Sequence, residues 1–192
     1  MFMVMQNLLD RTRAIDFLAP LALRLYLAPV FWAAGINKYN GFENTVGWFR
    51  GSLGLPIPEV MAFLATSTEL AGAVMLLLGF GVRWVSIPLM ITMLVAIFSV
   101  HWKNGWQAVA DPATCLFNCG DAIDAHNRRD AAINLLTEHG NIEWLTGQGD
   151  LEIANNGIEW GVTYLIMLLA LFFYGAGKYI SADFWIAKKF KR

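Results

Sequence analysis

Long runs of apolar residues dominate the chain and predict helices that cross a membrane. A helix needs about 20 residues to cross the hydrocarbon core of a bilayer. Four runs reach that length, at residues 17–37, 59–80, 82–102 and 158–178. The pattern therefore predicts an all-α fold, a four-helix transmembrane bundle that forms a single integral membrane domain over residues 1–192.

The segments between these runs predict two further elements. After the first run, NTVGWFRGSLGLPIP is too short to span a bilayer but places large apolar side chains around Arg50, which is typical of a short interfacial helix. Between the third and fourth runs, residues 103–157 are longer than a plain connection, and we expect a partly helical outer loop that covers one end of the bundle.

Composition places the protein in a membrane and argues against nucleic acid as a partner. The chain is 57% hydrophobic and 15% charged, with a mean hydropathy of +0.48, which is too apolar for a soluble domain of this length. The net charge is −1 and no basic stripe is present, so we expect no nucleic-acid binding. The first residues lack a cationic start with a small-residue cleavage site, and we expect no cleaved signal peptide.

Lysine and arginine positions predict a multi-pass protein of the bacterial inner membrane with both termini in the cytoplasm. Cytoplasmic segments near spans carry an excess of these residues. In this orientation the inner segments hold Arg11, Arg13, Arg83, Lys178, Lys188, Lys189, Lys191 and Arg192. The longer outer segments hold fewer: Lys38, Arg50, Lys103, Arg128 and Arg129.

Two charged residues lie near the middle of predicted spans. Arg24 is in the first and Glu69 in the second, where a lone charge costs about 2.5 to 3.5 kcal/mol on insertion scales. We therefore expect them to pair inside the bundle. Such a pair would fix the helix register, and it would also suit the floor of a polar pocket.

Three further polar residues fall at the outer ends of the predicted spans: Lys38, His101 and Glu159. We expect them to line the mouth of that pocket, beneath the outer loop. Each also suits a plain interfacial position, and a histidine such as His101 beside Trp102 is more often an interfacial anchor than a ligand or a proton relay. No second histidine lies at helical metal-ligand spacing, so a zinc site has little support.

Cys115 and Cys119, in TCLFNCG, are the only cysteines. The predicted topology puts them outside, where a bacterial periplasm is oxidising, and this favours a structural disulfide. A copper(I) thiolate pair and a catalytic redox pair are the alternatives. His101 and the two cysteines are accordingly weak metal-ligand candidates. No phosphate-binding, dinucleotide-binding, serine hydrolase or zinc protease motif occurs.

Several blocks of sequence resemble the DoxX family of small membrane proteins, and most closely its HvfX-like branch. They are RLYLAPVFWAAGINKYNGF, ATSTELAGAVMLLLGFGVRWVSIPLMITM, HWKNGWQAVADP and GAGKYISADFWIA. The resemblance implies a four-helix inner-membrane protein. It also implies that the family's charged and polar positions fall here on Arg24, Lys38, Glu69 and His101, with Gly177, Lys178 and Asp183 in the last block.

The resemblance implies two functional settings. DoxX relatives are linked to quinone-coupled sulfur oxidation and thiol redox balance, and the HvfX-like branch to genes for copper-binding modified peptides. We therefore expect an accessory protein that supports maturation or handling of such a peptide through an outward-facing intramembrane pocket. The alternatives are a quinone-linked thiol or sulfur oxidoreductase subunit and, last, a small-solute transporter. Quinone or copper are the implied cofactors; the partners are the bilayer, peptide-maturation proteins encoded nearby and a second copy of the chain.

Overall fold

The computed structural model describes residues 2–190, which form helices joined by turns and irregular segments, with one isolated bridge. Lys191 and Arg192, which entered the orientation prediction, lie outside the described residues. The bridge is antiparallel and joins Val109 to Ala154. An all-α fold is therefore confirmed for the described part of the chain.

The α-helices of the described residues number nine in chain order. They are α1 (Phe2–Arg11), α2 (Leu18–Asn40), α3 (Phe42–Gly51), α4 (Pro58–Leu78), α5 (Val82–Val95), α6 (Cys119–His139), α7 (Ile142–Leu145), α8 (Glu159–Tyr174) and α9 (Ala182–Phe190). Short helical turns of other types precede α2 and α6 and follow α5.

Three helical segments among the described residues are long and apolar enough to cross a membrane, by length and composition. They are Leu18–Asn40, Pro58–Leu78 and Val82–Asn104. The third continues from α5 through a π-helical segment, Ala96–His101, and a short 3₁₀ turn. Each bound lies within about three residues of its prediction, because long apolar runs are the most reliable signal in such a sequence.

The fourth predicted span, at residues 158–178, is shorter in the structure than the sequence suggests. Its helix, α8, has 16 residues, or about 24 Å at 1.5 Å per residue, against a hydrocarbon core of about 30 Å. The helix ends because Gly175 and Gly177 adopt φ values of +77° and +85°, which a helix does not accommodate. The hydropathy pattern did not predict this end of the helix, because two glycines barely change the mean hydropathy of the run.

The described chain divides into two compact units, one of residues 2–92 and 164–190 and the other of residues 93–163. In the first unit, α2 and α4 pack closely along their length. A Cβ on Gly35 of α2 would lie 2.8 Å from the Leu70 side chain of α4, so only glycine permits this approach. Gly72 on α4 gives the same close approach to Leu89 on α5.

Arg24 of α2 is fully buried and binds backbone, not a carboxylate. It donates to four backbone carbonyl oxygens at 2.6–3.1 Å, those of Leu76, Leu77, Ala176 and Ile180. The first two lie at the end of α4 and the others follow α8. The guanidinium suits this task because it carries five donors in a fixed fork.

The predicted pair between Arg24 and Glu69 is therefore wrong. In the antiparallel arrangement of α2 and α4, Arg24 near the start of α2 lies beside the end of α4. Glu69 lies farther back along α4, and its partner is another residue. A floor formed by Arg24 and Glu69 together is excluded with the pair.

The segment after α8 also holds the turn between α4 and α5. Asp183 accepts the backbone N–H groups of Gly81 and Val82 at 2.7 and 3.1 Å, which satisfies free donors where α5 begins. Gly79 has φ +65°, and a Cβ there would lie 2.7 Å from the Arg24 guanidinium. Residues 175–183, GAGKYISAD, thus hold this end of the first unit together like a clamp, through backbone carbonyls and the Asp183 carboxylate.

Two other residues of the last sequence block have structural positions in the same unit. A Cβ on Gly177 would lie 2.8 Å from the Pro20 ring, so glycine is needed for this contact with α2. Lys178 forms an exposed ion pair with Asp16 at 2.9 Å. The hydrogen bond to Asp16 raises the pKa of Lys178 above its ordinary value.

We predict that Arg24→Lys will lower the thermal stability of the protein in detergent. A single ammonium cannot reach carbonyls on two separate segments, and each hydrogen bond to a charged group contributes about 1.5–3 kcal/mol. Loss of two or more such bonds corresponds to about 3–6 kcal/mol. The control is Arg13→Lys, whose side chain is 79% exposed. Equal melting temperatures for the two variants would contradict the clamp.

Candidate functional site

Lys38 and Glu69 form an ion pair between two of the span candidates. Lys38 Nζ on α2 lies 2.9 and 2.7 Å from the two carboxylate oxygens of Glu69 on α4. The Glu69 side chain is 5% exposed and that of Lys38 is 26% exposed. The structure thus brings together two of the predicted pocket residues, with Lys38 in the place that sequence reasoning assigned to Arg24.

A buried hydroxyl lies next to this pair on α4. Thr66 is one turn before Glu69 and shares its face. Its Oγ1 atom is buried and has no hydrogen-bond partner among the described residues. An ammonium, a carboxylate and an unsatisfied hydroxyl therefore form a polar strip inside the first unit, which can hold a charge or a polar group away from water.

The second unit contains the cysteine pair. Cys115 and Cys119 form a disulfide, and Cys119 is the first residue of α6. The residues between them pack on the end of the third span candidate: the Phe117 ring lies 5.6 Å from that of Trp102, and Asn118 Nδ2 donates to the Trp102 carbonyl at 3.4 Å. The disulfide loop, residues 115–119, is thus fixed at the end of that segment.

The helix position distinguishes the two sulfurs chemically. The amino end of the 21-residue helix α6 carries a partial positive charge, which stabilises a negative charge on Cys119 if the disulfide opens. A sulfur whose thiolate is stabilised is the better leaving group in thiol–disulfide exchange. An incoming thiolate would therefore attack Cys115 and release Cys119.

His101 is the last residue of the π-helical segment, a helix type often found at functional sites. Its Nδ1–H donates to the carbonyl oxygen of Asn156 at 2.7 Å, and Asn104 Nδ2 donates to the same oxygen at 3.0 Å. Because a carbonyl only accepts, this contact fixes the neutral tautomer and leaves Nε2 as the acceptor. His101 is therefore oriented for ligand or proton binding at Nε2.

Glu159 lies at a different place in the second unit, on the wall of a cavity of about 740 Å³. Its Oε2 atom accepts the backbone N–H of Ala108 at 2.9 Å. Opposite lies α6, where Arg129 binds the Glu152 carboxylate at 2.9 Å. The hydrogen bond with Glu152 raises the pKa of Arg129, whose positive charge is thereby secured.

Sequence reasoning missed most of this cavity. Its walls also include Trp106, Asp111, His126 and Trp160. These residues come from three stretches of the outer loop and the start of α8, and no spacing rule connects them. Residues 103–157 hold eight acidic against three basic residues, and this excess was the only sequence sign that could have drawn attention to the cavity.

The side chains offer no ready-made copper site. Across residues 2–190, no three His, Cys, Asp or Glu side chains are grouped so that they could hold a metal ion. Cys115 and Cys119 are joined to each other and His101 is bound to a backbone carbonyl. The weak metal candidates of the sequence therefore do not converge on one site.

The fold and the buried ion pair define a helical membrane protein. The family model described as DoxX matches residues 19–102. The chain is 34% identical over 91 residues to a protein of Bacillus subtilis (strain 168) named "Putative oxidoreductase CatD". This similarity covers 47% of the chain and 66% of CatD, just under two thirds of its length. Comparison with solved structures gave no significant match.

We predict that Lys38→Met and Glu69→Gln will each destabilise the protein, and that the double variant will recover part of the loss. Removing one partner of a buried pair typically costs about 3–5 kcal/mol, because the other charge is left uncompensated. Thermal melting of all three variants in detergent would complete a double-mutant cycle.

The chain provides a matched control for this cycle in Arg50 and Glu59, an exposed ion pair that joins α3 to α4. Because both side chains are well exposed, Arg50→Met should cost less than about 1 kcal/mol. Additive effects at Lys38 and Glu69, with no recovery in the double variant, would contradict their coupling.

Proposed function

We propose that the protein is a membrane subunit of an oxidoreductase that passes electrons from thiols to quinone. One observation carries this proposal. Cys119 of the disulfide is the first residue of the long helix α6, and the loop between the two cysteines packs on the end of a span candidate. The match to the DoxX family model and the similarity to a protein named as an oxidoreductase support it.

The proposed cycle has two balanced steps. In the first, two donor thiols reduce the Cys115–Cys119 bond by successive exchange: the donor becomes a disulfide, and its two electrons and two protons convert the protein disulfide to two thiols. In the second, quinone takes up two electrons and two protons from these thiols and becomes quinol. The protein disulfide forms again, so the protein is unchanged over the cycle.

We assign His101 the role of proton acceptor in the second step. Its Nε2 atom is the acceptor of the neutral ring, and the neighbouring residue Trp102 contacts the disulfide loop. A histidine exchanges protons readily near neutral pH. The Lys38–Glu69 pair, buried in span candidates, is assigned to proton handling in the membrane-embedded unit.

The same proposal includes the finer topology predicted from sequence: four spans, both termini in the cytoplasm and an inner-membrane location. In it α8 is the fourth span, and its 16 residues are accommodated by local thinning of the bilayer. The disulfide loop then faces the oxidising side of the membrane, which favours the oxidised pair between turnovers.

The accessory role in maturation of a copper-binding peptide stays a prediction from the HvfX-like resemblance. Neither the side-chain arrangement nor the named relative adds support to it. The transporter alternative likewise has no specific observation in its favour. We prefer the redox proposal because the chain contains the disulfide that it requires, between Cys115 and Cys119.

We predict that the reduced protein will convert about one equivalent of decylubiquinone to its quinol. The protein in detergent would be reduced with dithiothreitol, desalted under argon and mixed with the quinone, and the change in quinone absorbance recorded. This quinone suits the test because its ring is fully substituted and does not add thiols directly. The matched control is the same reduced protein after alkylation with iodoacetamide.

Two further measurements separate this role from a structural one. Cys115→Ser and Cys119→Ser should both abolish quinol formation. A purely structural bond around so short a loop would contribute about 2 kcal/mol of stability and no quinol. Equal quinol yields from the reduced and the alkylated protein would refute the proposal.

A further inference from the structure

A cavity of about 560 Å³ lies in the first unit, between the start of α2 and the segment where α8 ends. Its volume is within the range of pockets that hold small molecules. Three charged side chains line it, those of Asp16, Lys178 and Asp183. The rest of the lining is mostly apolar and includes Phe17, Pro20, Leu23, Ala170 and Phe184.

The charged and apolar parts of this lining lie at different depths. The first span candidate begins at Leu18, so Asp16 lies just outside the apolar stretch. Leu23 is five residues, or about 7.5 Å, farther along the helix than Leu18. On the other wall, Ala170 lies four residues, or about 6 Å, inside the end of α8 at Tyr174. The cavity therefore has the polarity profile of a lipid, with charge at the membrane boundary and apolar surface deeper in the span.

The charges at the mouth of the cavity balance one another. Lys178 Nζ lies 2.9 Å from the Asp16 carboxylate, and both side chains are about half exposed. The third charged group, Asp183, already accepts the backbone N–H groups of Gly81 and Val82. An exposed ion pair is weak, so each partner can exchange the other for a charge on a ligand. The mouth therefore suits a headgroup that carries one negative and one positive charge.

We propose that this cavity binds a phospholipid with a zwitterionic headgroup, phosphatidylethanolamine. Its acyl chain fills the apolar part between Leu23 and Ala170, its phosphate accepts from Lys178 and its ammonium donates to Asp16. A choline headgroup has no N–H donor for that carboxylate, and an anionic headgroup places no positive charge near it. This inference concerns the first unit alone and does not depend on the proposed thiol chemistry.

A bound lipid would also stabilise the clamp, because two residues of the clamp line the cavity. The carbonyl of Ala176 accepts from Arg24 at 2.6 Å, and Gly177 packs on the Pro20 ring. A ligand that binds only the folded protein raises its melting temperature. Phosphatidylethanolamine should therefore raise the melting temperature of the delipidated protein.

Native mass spectrometry of the full chain, delipidated in detergent with its disulfide intact, tests the site. Phosphatidylethanolamine, phosphatidylcholine and phosphatidylglycerol with identical acyl chains would be added separately at equal concentrations, and the fraction of protein that carries one lipid measured. We expect the ethanolamine lipid to bind about fivefold more tightly than either of the others, the effect of part of one charge-assisted hydrogen bond.

Two variants that break the same ion pair should differ in their lipid binding. Asp16→Asn should remove most of the preference for ethanolamine over choline, whereas Lys178→Gln should weaken the binding of all three lipids and keep that preference. The controls are Asp10→Asn and Lys189→Gln, at exposed positions outside the cavity. If the ion pair were purely structural, the two variants would behave alike.

A third variant tests the location of the acyl chain. Ala170→Trp fills the apolar part of the cavity, so it should weaken the binding of all three lipids and abolish the rise in melting temperature. Leu169→Trp, at the next position, is the control because Leu169 is exposed and outside the cavity. Melting temperatures without lipid establish that each variant is folded.

The two parts of the proposal fail separately. Equal binding of the three lipids, with no effect of Asp16→Asn, would overturn the selection of the headgroup. Lipid binding that Ala170→Trp leaves unchanged would overturn the cavity as the site.

Discussion

The first unit depends on one buried guanidinium. Arg24 lies on α2, but its partners are carbonyls at the end of α4 and in the segment that follows α8. A bilayer would exclude this charge if it were unpaired. Its hydrogen bonds instead connect α2 to the end of α4 and to the segment after α8. Gly79 approaches the guanidinium so closely that a Cβ there would lie 2.7 Å from it, and Asp183 accepts the backbone N–H groups at the start of α5.

The sequence predicted the spans well and the charge partners poorly, for a physical reason. Apolar runs report directly on what lipid accepts, so the three span candidates lie near their predicted bounds. Opposite charges near the middle of two spans suggested that Arg24 binds Glu69. Backbone carbonyls have no sequence signature, and they supplied the partners that Arg24 needed. The partner of Glu69 is instead Lys38, which donates to its carboxylate across the contact between α2 and α4.

The second unit was harder to anticipate. Two cysteines four residues apart made a local disulfide a strong expectation, and the structure contains one. The cavity is different, because its lining comes from residues 106–111, from α6 and from residues 152–160. The match to the DoxX family model covers residues 19–102 and ends before the disulfide loop. The proposed thiol chemistry is therefore a property of the part of the chain that follows the matched residues.

The central claim is that the cysteine pair cycles between two states, and its redox state in growing cells tests that most directly. Cells would be quenched in acid, free thiols alkylated, and the oxidised fraction of Cys115 and Cys119 measured by mass spectrometry, with and without a block of quinol oxidation. The redox account predicts a mixture of both states that shifts towards the reduced form under the block. A pair that is fully oxidised in both conditions would contradict it and leave a structural disulfide.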